Sequence, residues 1–170
     1  TMPNTDNYSQ TDPLTVTLTG NTSITYADFG YYLKPASIGN WVWYDVNGDG
    51  VQEPAEPGIA GVAVTLTITY PNGSTVSVVT LTDANGYYSF ENLLLDENYD
   101  GIGTYGVGGT EPKFVITVAT PANTIASPYN QGGDPALDSN NGLLGAQAQP
   151  VMGGTDIDSD FAFYKADLGD

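Results

Sequence analysis

The chain has no cysteine, no histidine and no arginine among its 170 residues, and its only basic side chains are Lys34, Lys113 and Lys165. Without cysteine there can be no disulfide, thiolate metal site or thiol nucleophile. Without histidine, Ser-His and Cys-His relays are impossible, and zinc, copper and haem lose their usual ligands. Without arginine there is no bidentate clamp for phosphate or carboxylate, so phosphotransfer and nucleotide binding are not expected. No apolar run approaches the roughly 20 residues that span a bilayer. No basic-then-apolar leader opens the chain either, and its start, TMPNTDNYSQ, suggests a mature product or a piece of something longer.

What is abundant is oxygen. Twenty Asp and Glu set against three lysines give a net charge of −17, a surface that repels nucleic acid and anionic membrane. Carboxylates, amides and backbone carbonyls favour hard cations, calcium above all. Apolar residues make up 40% of the chain, enough for a core.

Strand signals dominate. In VAVTLTITY, residues 62–70, Val62, Val64, Leu66, Ile68 and Tyr70 fall on one face while Ala63, Thr65, Thr67 and Thr69 fall on the other. PNGS, 71–74, turns the chain, and TVSVVTLT returns it as a hairpin. Further strands are predicted at 37–45, 86–90, 113–119 and 156–165. With 21 Gly and 11 Pro between short strands, the expected fold is an all-β antiparallel sandwich.

The two ends resemble each other. Asp28-Phe29 and Tyr32 match Asp160-Phe161 and Tyr164, and Ile38-Gly39-Asn40 matches Leu168-Gly169-Asp170. The chain therefore reads as more than one period of a tandem repeat. Residues 1–36 are expected to be the closing hairpin of a preceding unit, with LTVTLT and SITYADFGYYL as arms, and 37–170 the complete unit. A lone hairpin is marginally stable, so residues 1–36 should complete a sheet elsewhere, upstream in the same polypeptide or in a neighbouring subunit by strand addition.

One loop carries specific chemistry. DVNGDGVQEPAE, 45–56, has the letters of an EF-hand calcium loop, yet it follows a strand, and Pro54 and Pro57 would break an exiting helix. Asp45, Asn47 and Asp49 offer side-chain oxygens, Val51 its carbonyl and Glu56 a bidentate carboxylate, with Gly50 at the sharp turn. The competing reading is a solvated Asx-rich turn. Moderate-affinity calcium sites fill where calcium is millimolar, which points outside the cell.

At this point IGNWVWYDVNGDGVQEPAEPGIAGVAVTL, followed in order by TDANGYYSFENL, KFVITV, GGDPALDSNN and DIDSDFAFY, resembles the SdrD B-like domain over residues 37–165. That family is the calcium-binding relative of the Cna B-type repeats of bacterial surface adhesins. The resemblance implies an Ig-like or prealbumin-like sandwich, a tandem stalk module at the cell surface, and two or three bound Ca2+ ions. It directs attention to two more acidic clusters: Asp83 and Asn85 in TDANG, equally readable as a plain turn, and Asp134, Asp138, Asn140, Asp156, Asp158 and Asp160. Alternation through the last strand puts Ile157, Phe161 and Phe163 on one face and Asp158 and Asp160 on the other. Many Cna B-type relatives cross-link a first-strand lysine to the last strand; SIGNWVWYD has no lysine, so calcium would have to supply the stiffness. Trp41 and Trp43 share a face, and packing is the preferred reading over a ligand platform.

The leading function is thus a structural stalk or fibre module, not an enzyme, since only paired-carboxylate chemistry remains open. Its partners are adjacent repeats or identical subunits, with no nucleic acid and no membrane insertion. The alternative is an adhesin module gripping a host glycan or protein through the Gly-rich loop 93–112.

Overall fold

The structure, a computed structural model, describes residues 13–21, 23, 27, 29, 34–96, 103–140, 146–148, 150 and 153–165. The chain divides into two compact units, Thr1–Tyr32 and Leu33–Asp170. In the first, no strand is assigned to residues 14–19, and most of the expected second arm lies outside the described residues.

The second unit is all-β and holds two sheets. Its strands are β1 (Ala36–Tyr44), β2 (Ala63–Thr69), β3 (Thr75–Leu81), β4 (Tyr87–Leu93), β5 (Lys113–Val118), β6 (Ile125–Ala126), β7 (Ala146–Ala148), β8 (Thr155–Asp156) and β9 (Phe161–Tyr164). One sheet runs β4-β1-β9-β6 with β8 also on β1; the other runs β3-β2-β5-β7. The β2–β3 hairpin forms where the alternation places it, in unbroken register from Ala63↔Leu81 to Thr69↔Thr75. Its turn closes because Gly73 takes φ of 86°, a region closed to most side chains, and because the Asn72 side chain accepts the Ser74 N–H at 2.8 Å.

Between the sheets Val64, Leu66, Phe114 and Ile116 pack against Ile38, Val42, Phe90, Phe161 and Phe163. β1 is buried on both faces, because Trp41 and Trp43 on its outer side form a second cluster with Ala162. Their rings stack at 5.8 Å and 13°, and Tyr87 continues the stack. Packing is therefore what the tryptophan pair does.

One expectation needs correction. The predicted strand 156–165 is two strands separated by residues 157–160, each parallel to β1, at Ser37–Ile38 and at Val42–Tyr44. Asp158 and Asp160 do not share a face: Asp158 is exposed while Asp160 is wholly buried, and Ile157 is 51% exposed. The break arises because the Asp160 carboxylate, rather than a strand carbonyl, accepts the Trp41 N–H at 3.1 Å. The shorter elements β6, β7 and the 3-10 turn Pro135–Leu137 carry too few residues for a periodic signal.

Because β1 and β9 run parallel side by side, the second unit has two distinct ends. The proximal end holds the start of β1 at Ala36; the distal end holds the close of β1 at Tyr44 and of β9 at Tyr164.

Candidate cation site

The acidic loop 45–56 leaves the distal end of β1 and is pinned at both feet. Asp45 N–H donates to Phe163 O at 3.0 Å, and Tyr44 N–H donates to Pro57 O at 2.9 Å. Within the loop the carboxylates turn onto backbone N–H groups. Asp45, 2% exposed, accepts from Gly48 (2.6 Å), Asp49 (3.2 Å) and Gly50 (2.8 Å). Glu56 accepts from Val46 at 2.7 Å and Glu53 at 3.2 Å. Asn47 Oδ1 accepts the Asp49 N–H, and Asp49 in turn accepts the Val51 N–H. Gly50 is required twice: φ is 80°, and a Cβ there would lie 2.1 Å from Pro128 O.

That close approach joins the loop to the segment 127–140. Val51 bridges to Asp138, with Gln52 N–H donating to Leu137 O at 2.7 Å and Ser139 N–H to Gly50 O at 3.1 Å. Asn140 reaches onward, its N–H donating to Asp160 O and its side-chain oxygen accepting the Asp160 N–H, both at 2.7 Å. Clusters separate in sequence are thus laid end to end.

Asp134 and Asp158 lie close enough to act on Asp138, and Asp138 and Asp158 on Asp160. Burial pushes Asp138 up first, and Asp158 and Asp134 add to it. Burial likewise pushes Asp160 up to about 8, against the Trp41 N–H and the Asn40 amide that favour its anion. Glu56 is also raised, by burial and then by Asp45 and Glu53, in opposition to its two backbone donors. No lysine offsets any of these, and Asp138 Oδ1 is buried without a hydrogen-bond partner.

Asp83 and Asn85 lie apart from this line, in the turn before β4. Asp83 Oδ1 accepts the N–H groups of Asn85 (2.8 Å) and Tyr87 (2.9 Å), and Asn85 O accepts Trp41 Nε1–H. These are a turn's own bonds.

In donor chemistry the loop and the 134–160 cluster suit a hard cation: all donors are oxygen, and one buried carboxylate oxygen is orphaned. In geometry, no three carboxylates among the described residues converge as a metal-holding group, since each loop carboxylate is spent on N–H donors. The sequence pattern above did not include Glu53, whose two carboxylate oxygens accept from the Asn47 amide at 3.2 and 3.3 Å beside that amide's 3.0 Å contact to Asp49 Oδ2. Its signal was available: it stands ninth in the twelve-residue loop, a ligand position in the EF-hand pattern. Asn40, which holds Asp160 at 2.9 Å, had no such signal.

With this geometry in hand the chain can be set beside known proteins. The sequence model of the SdrD B-like domain matches residues 36–163. The chain belongs to that family. A serine-aspartate repeat-containing protein F of Staphylococcus epidermidis is 36% identical over 144 residues, 84% of this chain and 7% of that protein. A fibrinogen-binding protein of the same species is 46% identical over 86 residues, 50% of this chain and 8% of that one. A bone sialoprotein-binding protein of Staphylococcus aureus (strain MRSA252) is 36% identical over 142 residues, 81% and 11% of the two chains. The chain thus spans about a tenth of these relatives. As an SdrD B-like module it is a cell-surface domain, and no helix among the described residues is long and apolar enough to cross a membrane.

Proposed function

We propose that this SdrD B-like module is a load-bearing spacer of a surface protein, stiffened by calcium and joined to adjacent repeats or identical subunits. The observation that carries this reading is the parallel pairing of β1 with β9. A chain that enters at one end of a sandwich and leaves at the other can be strung into a rod, whereas termini at one end would make a side branch. The acidic loop sits at the distal end, beside the outgoing chain, where a following module would abut.

Calcium would be held by Asp45, Asn47, Asp49, Val51 and Glu56 with Glu53, and a second ion by residues drawn from Asp134, Asp138, Asn140, Asp158 and Asp160. Asp83 and Asn85 are the weaker third candidate, for a total of two or three ions. The bound ion supplies positive charge where burial and mutual repulsion now raise the carboxylates, and it ties loop to segment. Residues 1–36 would complete a preceding repeat or serve as strands donated to a neighbour.

Thermal melting with and without a chelator tests this. At a calcium concentration a hundredfold above Kd, each ion adds about 2.7 kcal/mol, so its removal should lower Tm by roughly 5–10 °C. An unchanged melt after thorough calcium removal refutes the stiffening role.

A second reading draws on the fibrinogen- and bone sialoprotein-binding names of two relatives. Residues 103–111 fold on themselves, Gly106 N–H donating to Glu111 O at 2.8 Å, and hold Tyr105 and Val107 out to solvent. Such a tip suits contact with a host protein. Surface plasmon resonance against fibrinogen, with Tyr105→Ala as the control, decides whether this module binds.

A further inference from the structure

Sheet edges are where added strands dock, and proteins guard them with charge, proline, bulges or brevity. Four of the five edge strands among the described residues are guarded, β8 by its two-residue length. β6 has two residues and β7 three. β4 carries Glu91 and ends in a distortion, Asn92 at φ 61°. β3 has none of these devices: it runs seven residues in unbroken register, with no charge and no proline.

β3 is also exposed. Val76 and Val78 lie on the face of Ile68 and Leu66, toward the core, yet are 46% and 44% exposed. Val79 and Leu81 on the other face are exposed as well. In a chain of net charge −17, the whole tract from Val62 to Thr82 holds no charged residue. Pro13–Ala27 is likewise without charge, and it contains Leu14–Thr19, LTVTLT, where Val16 and Leu18 are exposed. Residue for residue LTVTLT repeats the pattern of VTLTIT, Val64–Thr69, the part of β2 that already pairs with β3.

We propose that the open edge of β3 accepts Leu14–Thr19 of a second copy of this chain as an added strand. The incoming strand does on one side of β3 what β2 does on the other. Leu14, Val16 and Leu18 extend the row of Val76 and Val78, and Thr15, Thr17 and Thr19 continue the threonine face of β2. The contact joins two charge-free tracts, so it escapes the repulsion that two acidic surfaces meet on pairing. The inference rests on the reading of residues 1–36 as donated strands, and names the edge that receives them.

The absence of cysteine makes the test clean. Val16→Cys and Val78→Cys chains, mixed and mildly oxidised, should give a disulfide-linked heterodimer in excess of either homodimer. Val78→Lys and Leu18→Lys, each checked for an unchanged circular dichroism spectrum, should each weaken self-association in light scattering by about tenfold or more. A wild-type chain that stays monomeric at high concentration overturns the proposal. So does preferential Val78→Cys homodimer, which means β3 on β3, or a double-cysteine chain that closes within itself at every dilution. Calcium-dependent melting is read separately: if it persists without association, only the edge pairing fails, and if association persists without it, only the calcium role fails.

Discussion

Asp160 shows how far a single residue departs from its letter. In sequence it is one aspartate in an acidic run; in the fold it is fully buried, with one oxygen on the Trp41 N–H and the other on the Asn40 amide. Asp160→Ala would leave a buried backbone donor unsatisfied and should cost about 1–3 kcal/mol in urea unfolding even in chelator. Asp45 makes the same point in the loop. Its three N–H acceptances mean that Asp45→Ala should destabilise by a comparable 1–3 kcal/mol even in chelator; the remaining loss seen only in calcium is the cation's share. A variant indistinguishable from wild type in chelator would show that the turn does not need this carboxylate. The ligand letters of the loop were legible because each position of the twelve has a stereotyped duty. The role of Asn40 was not, because it depends on a partner 120 residues away.

Between some elements the closest contact is made by backbone rather than side chains. The turn 83–86 and the strand-flanking Gly58 approach so closely that a Cβ on Gly58 would stand 1.8 Å from Asn85 O. Gly58→Ala should therefore push the turn off Trp41 and lower Tm by several degrees, with a red shift in tryptophan emission as Trp41 meets water. The same emission should respond to calcium, since the loops that carry the carboxylates flank the Trp41–Trp43 stack; a titration that leaves it flat argues that the loops do not tighten. Hairpin β2–β3 could be read from the sequence because period-two alternation and a Pro-Asn-Gly-Ser turn agree. The last strand could not, because alternation assumes an uninterrupted ladder and Asp160 substitutes for one rung.

At the scale of the molecule, direction matters more than any contact. Parallel β1 and β9 give the module a proximal and a distal end, and a two-module chain should lengthen and stiffen in calcium, its maximum dimension in small-angle scattering falling when chelator is added. A dimension insensitive to calcium would leave the junction flexible or rigid for another reason.

The sequence by itself determined the class of fold, the exclusion of thiol and imidazole chemistry, and the oxygen-rich loops, because composition and short-period patterning are local. Only the tertiary structure decided that β1 is buried on both faces, that the clusters at 45–56 and 134–160 adjoin, and that β3 alone among the described edge strands is unguarded. These are facts about which distant segments become neighbours, and pairing across a hundred residues is set by the packing of two sheets, which no single stretch of chain encodes.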